Sequence, residues 1–216
     1  MELPDYLKMI ADQLAHELRP IADIKEVTNN KVLLGAYTEA AVRSLVLRVV
    51  HPMRISTGAI LDYPMPDPLK QTDVIIWAPT PVPAVFDTQG FGLVPRGSVY
   101  GVLEVKRSNY SGADTELESF SKVADSLTAD PRGAVADFQR IRGMGVVCLL
   151  TAGPSARLQT LLTEKKAVAI FDATGPTPTP RAADIFALTN FLYYIRWRYQ
   201  MQNALPSYPQ VLTELL

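Results

Sequence analysis

Leu3, Leu7, Ile10, Leu14 and Leu18 recur at helical spacing, so the chain is expected to open on an amphipathic helix over 3–18, closed by Pro20. A polar connector with Asn29-Asn30 leads to a second helix, 31–50. Its apolar face is Leu33, Leu34, Tyr37, Val42, Leu45, Val46 and Val49. After Pro52 the apolar period shortens, and β-branched runs predict strands at 53–61, 71–77, 98–106, 145–151 and 167–171. The long Pro-rich stretch between Ala78 and Gly97 is expected to pair short strands, Ala84–Phe86 with Gly92–Val94, because a structureless loop of that length is uncommon in a compact domain. Helices are predicted at about 113–127, 155–163 and 182–203. The order predicts an α/β fold, a mixed central sheet of about five strands flanked by helices. Residues 1–30 read as a helical extension and 31–174 as the α/β core. Residues 175–216 read as a Pro-rich linker and a C-terminal helix packing on the core or a partner.

Two strands carry charge that a buried strand has no structural use for. Glu104 and Lys106 are two apart, so on a strand they share a face, with Leu103 and Val105 on the other. Asp73 lies inside the preceding apolar run. A carboxylate and an ammonium on a buried strand cost free energy unless paired or bound to a metal. On helix 31–50, Glu39 stands four residues before Arg43, which reads as an i,i+4 surface pair.

Composition narrows the function classes. The formal net charge of −1 gives no bulk-charge support for nucleic-acid binding, so any such binding needs a local patch. Cys148 is the one cysteine, which excludes an intrachain disulfide and a cysteine zinc cluster, and its apolar run makes it a core residue. His16 and His51 are too few for a histidine-rich metal site, and His51 suits a helix end. No apolar run reaches membrane-spanning length and no signal-peptide core is legible. A soluble, cytoplasmic protein without a membrane partner is the expectation.

The three-residue pattern Asp/Glu-x-Lys is weak alone, and it also occurs at Asp23-Ile-Lys25 and Glu164-Lys-Lys166. Only Glu104-Val105-Lys106 lies within a predicted strand, with a strand-borne acid upstream and a helix downstream. In that setting the chain, over about residues 31–172, resembles the PD-(D/E)xK nuclease superfamily, the fold of many restriction endonucleases. Thr72 stands where the family pattern has Pro, and the long gap between Asp73 and Glu104 is ascribed to the Pro-rich insertion. Asp62 is second choice for the upstream acid.

The resemblance implies a Mg²⁺- or Mn²⁺-dependent DNA endonuclease of restriction or defence type. Asp73, Glu104 and the Val105 carbonyl would hold the metal, and Lys106 would position or help deprotonate the attacking water. Glu39 would match the acid that many members carry on the helix before the first strand. Gln71, Lys70, Arg107, Ser108 and Asn109 are candidate nucleic-acid contacts, with Arg132, Arg140 and Arg142 as further cations. The aromatic segment 191–199 could stack on bases, though docking on the core or a second subunit is the plainer use. A homodimer, or a partner protein supplying specificity, fits the lack of a separate recognition domain. Two other readings remain open. One is a nuclease-fold binding module without catalysis, and the other an interaction protein in which Glu104 and Lys106 are merely a same-face ion pair.

Overall fold

The computed structural model describes residues 3–61, 71–79, 83–88, 90–106, 112, 115–120, 122, 143–150, 156, 160, 167–172, 179–180 and 182–204. Helix α1 spans Leu3–Val27 and α2 spans Lys31–Val50. The strands are β1 (Arg54–Leu61), β2 (Thr72–Trp77), β3 (Phe86–Thr88), β4 (Phe91–Pro95), β5 (Val99–Lys106), β6 (Gly143–Leu150), β7 (Ala167–Asp172) and β8 (Thr179–Pro180). Helix α3 is described over 115–120, and α4 is Ala182–Ala204. The strands form one sheet in the order β3-β4-β1-β2-β5-β6-β7-β8. Strands β1, β2, β5, β6 and β7 are the expected five, and the shorter β3, β4 and β8 extend them to eight. The sheet is mixed. β2 runs antiparallel to β1 and β5, whereas β5, β6 and β7 are parallel to one another.

Helix α2 starts where its sequence says it should. The Asn30 side chain accepts from the backbone N–H groups of Val32 and Leu33, satisfying two donors that the first turn leaves free. Its far end is capped by His51, whose N–H donates to the Leu47 carbonyl. Leu34, Val42, Leu45, Val46, Val49 and Val50 are buried, but Leu33 is 54% exposed and falls off the expected apolar face.

Helix α1 overturns the expected stop at Pro20: it continues through the proline to Val27. A proline within a helix removes one backbone donor and crowds the preceding turn. Here the Tyr37 hydroxyl donates to the neighbouring Glu17 carbonyl at 3.0 Å, and the Glu17 carboxylate pairs with Arg48. Ile10 and Leu14 are buried in the core shared with α2, so the helix is docked ahead of the proline.

One core joins these layers. Val74, Ile76, Leu103 and Val105 of the sheet pack with Ile10 and Leu14 of α1, the buried face of α2, and Leu188, Leu192 and Ile195 of α4. Each fully buried aliphatic side chain contributes about 1.5–3 kcal/mol relative to exposure. At the other side of the sheet β1 and β4 approach closely. Gly58, at φ +140°, leaves no room for a side chain, since a Cβ would stand 2.1 Å from the Gly92 carbonyl oxygen.

A polar cluster ties β1, β2 and β3 together. Trp77 Nε1 donates to Ser56 Oγ at 3.0 Å, and Ser56 Oγ donates to Asp87 Oδ1 at 3.2 Å. Arg54 Nη1 donates to Asp87 Oδ2 at 3.0 Å while its guanidinium lies 5.5 Å from the Trp77 ring centroid. Each member serves another, so burying Trp77 leaves its indole N–H satisfied.

Candidate active site

Strands β2 and β5 bring the charged residues together. Val74 stands opposite Leu103 in the antiparallel register, so one residue further Asp73 stands opposite Glu104. Val74 and Leu103 belong to the helix-covered core. Side chains alternate along a strand, so Asp73 and Glu104 point together to the other side. Asp73 Oδ2 accepts from the Val105 backbone N–H at 2.8 Å, which fixes the acid across the strand pair. Lys106 Nζ donates to Glu104 Oε1 at 2.6 Å and to Glu116 Oε2 of α3 at 2.5 Å. The Lys106 and Glu104 side chains are each 11% exposed, that of Glu116 49%.

Helix α2 reaches the same corner. Arg43 Nη1 donates to the Asp73 carbonyl oxygen at 3.3 Å and lies 3.4 Å from Glu39 Oε2. The Glu39–Arg43 pair is therefore real, and it does more than decorate a surface, because Arg43 grips the backbone of the acid-bearing strand.

The electrostatics follow from negative charge gathered out of water. Burial, then repulsion from Asp73, pushes Glu104 up to about 7 despite Lys106 beside it. Asp73 is also raised, chiefly by burial, against the hydrogen bond from Val105. Glu39 is raised by burial and by Asp73, with Arg43 opposing. Burial acts to lower Lys106, but Glu104, Glu116 and Asp73 outweigh it and hold its ammonium above the usual lysine range. Among the described residues two cations, Lys106 and Arg43, thus face four carboxylates, Asp73, Glu104, Glu116 and Glu39. Among the described residues, no three His, Cys, Asp or Glu side chains converge to hold a metal ion.

Of the residues singled out from sequence, Asp73, Glu104 and Lys106 meet directly, and Glu39 couples to them through Arg43 and through space. Gln71 is exposed and stands just before β2 rather than within it. Lys70, Arg107, Ser108, Asn109, Arg132, Arg140, Arg142 and the alternative acid Asp62 lie outside the described residues. Two contributors went unassigned. Glu116 reads in sequence only as an acid suited to a helix start, and Arg43 only as a surface partner. That Glu116 opens the helix following the Glu-x-Lys strand was the available signal. In the aromatic segment Leu192 and Ile195 are buried and Tyr199 packs edge-on against Tyr100, while Tyr193 and Trp197 remain 40% and 50% exposed.

No protein-family model matches the sequence, and no curated protein does. Solved structures match its fold. NucC of P. aeruginosa ATCC27853 in its cAAA-bound form is 17% identical, with a TM-score of 0.60 and 99% of both chains covered. NucC of E. coli MS115-1, cAAA-bound, is 12% identical with a TM-score of 0.59, covering 90% of this chain and 91% of that one. Its apo form is 13% identical with a TM-score of 0.54, covering 93% and 92%. The chain described here shares the fold of these NucC structures, a mixed sheet flanked by helices of the restriction-endonuclease-like kind.

Proposed function

We propose that this chain is a metal-dependent phosphodiesterase that cuts DNA internally, in the manner of a restriction or defence endonuclease. The observation that carries the reading is the corner where Asp73, Glu104 and Lys106 meet on adjacent strands of a nuclease fold. The donor set suits a hard divalent cation. Two opposed carboxylates, both raised by burial, would be relieved by Mg²⁺ or Mn²⁺, which prefer oxygen ligands and keep several waters. Asp73 and Glu104 would hold it. The Val105 carbonyl is the third candidate: on a strand, a residue's N–H and C=O point to the same side, and the Val105 N–H already faces Asp73. When bound, such an ion polarises the phosphate and lowers the pKa of a coordinated water.

The chain's own residues supply the rest. Lys106, kept protonated by its carboxylates, acts as a cation that offsets the charge building on the phosphate during attack. That favours the charge-stabilising half of its expected role over proton abstraction. Arg43 holds the Asp73 backbone in place, and Glu39 adds negative charge near the metal position. Lys70, Arg107, Ser108 and Asn109 are proposed to contact the DNA backbone, with Gln71 at the edge of the site. Because two of the NucC structures hold cAAA, we extend to this chain the possibility of control by that ligand.

The test is cleavage of supercoiled plasmid with Mg²⁺ or Mn²⁺, with and without cAAA, comparing wild type with Lys106→Ala and Asp73→Ala. Metal-dependent nicking lost in both variants is the expected result. Cleavage surviving in both would mean the site is misplaced. DNA retained in gel shift but never cut would favour a catalytically silent binding module.

A further inference from the structure

We infer that Glu116 is a positioning residue for Lys106, the seat that keeps its ammonium in place when a divalent cation draws on Glu104. The inference rests on the metal-dependent reading above and deepens it. Lys106 Nζ has two carboxylate partners, Glu104 Oε1 at 2.6 Å and Glu116 Oε2 at 2.5 Å, from different elements. They are not equivalent. Glu104 lies opposite Asp73 and is the carboxylate that a cation would share, whereas Glu116 comes from α3 and is half exposed. With Glu104 as its sole partner, the ammonium would compete with the cation for one carboxylate, and losing that contest would leave a buried charge unpaired. A second carboxylate removes the contest. The lysine stays anchored by Glu116, and Glu104 is free to turn its charge to the ion.

The neighbouring helix is built to hold Glu116 there. Leu117 and Phe120 are 2% and 5% exposed, so α3 is docked by its apolar side. The Glu116 N–H donates to the Gly112 carbonyl at 3.1 Å. Glu116 thus reaches Lys106 from a fixed support, and the long lysine stem is held at both sides of its ammonium.

The experiment is a double-mutant cycle read by Mn²⁺ calorimetry on the full chain without DNA, beside plasmid cleavage. Glu116→Gln is expected to weaken Mn²⁺ binding about tenfold, because Lys106 then falls back on Glu104. In a Lys106→Met background the competitor is gone, and Glu116→Gln should leave Mn²⁺ affinity within about twofold. In cleavage, Glu116→Gln should lower kcat and leave KM for DNA nearly unchanged, and Glu116→Asp should recover part of the loss. Equal losses of Mn²⁺ affinity in the wild-type and Lys106→Met backgrounds would overturn the inference, since Glu116 would then act as a distant charge. So would Glu116→Gln binding Mn²⁺ and cutting like wild type while Asp73→Ala does neither. If Asp73→Ala itself binds Mn²⁺ and cuts normally, the metal-dependent reading fails first, and this failure is told apart by that variant alone.

Discussion

Two charged clusters on the same sheet are built to opposite ends. At β1 and β3, Arg54 pairs with Asp87, and Ser56 and Trp77 complete a network in which donors and acceptors match. The Arg54 and Asp87 side chains are 57% and 27% exposed, so water screens the pair. At β2 and β5 the Lys106 and Glu104 side chains are each only 11% exposed, and a single ammonium faces Glu104, Glu116 and the nearby Asp73. The first cluster is balanced and stitches strands together. The second crowds carboxylates where Glu104 and Lys106 are largely shut off from water, which destabilises the fold and is the arrangement on which the proposed metal site rests. Such imbalance is what the proposed site, unlike a structural brace, calls for.

The comparison is broken most directly by cleavage. Glu104→Gln should lower the plasmid-cutting rate by about 10²-fold or more, as expected for the loss of a proposed metal ligand. Asp87→Asn should cut at the wild-type rate, and an equal loss in both would erase the contrast. The next largest effect is on stability, in the reverse sense. Ser56→Ala leaves the buried Trp77 N–H unpaired and should cost about 1–3 kcal/mol by denaturant unfolding, with cleavage unchanged.

A third expectation concerns metal and heat. Mg²⁺ at about 100 times its dissociation constant should stabilise wild type by about 2.7 kcal/mol, seen as a rise in Tm, and should leave Asp73→Asn unmoved. A rise that persists in Asp73→Asn would put the ion elsewhere. The smallest effect is the pH dependence of those crowded carboxylates. Glu104 is raised from its ordinary 4.5 to about 7 in the folded state, so the folded protein holds the proton that the unfolded chain gives up. Stability from this group is present below about 4.5 and lost as pH climbs through about 7. Without divalent ions, wild type should therefore lose about 5–10 °C more in Tm than Glu104→Gln between pH 5 and 7.5. Parallel curves would mean that Glu104 is not held in a water-poor, carboxylate-rich corner.

How much of this was readable beforehand depended on how local the physics was. The five long strands and α2 announced themselves because β-branched runs and a helical apolar period act over a few residues. The meeting of Asp73 with Glu104 was readable only through a resemblance, since 30 residues of chain separate acids that one register step brings face to face. Pro20 misled for the opposite reason: the local rule says stop, but α1 runs on to Val27, docked ahead of the proline through Ile10, Leu14 and the Tyr37 bond to Glu17. Leu33 fitted the helical pattern and still faces outward, because packing against the sheet decides which side of α2 is covered.

The sequence alone determined that Glu104 and Lys106 share a face of an apolar strand, since strand periodicity admits nothing else. It also determined that one cysteine and two histidines leave carboxylates as the main side-chain ligands for a metal. Only the tertiary structure decided that Glu116 from α3 and Arg43 from α2 close on the same corner. Contacts between elements distant along the chain depend on how helices dock against the sheet, and no local spacing encodes that.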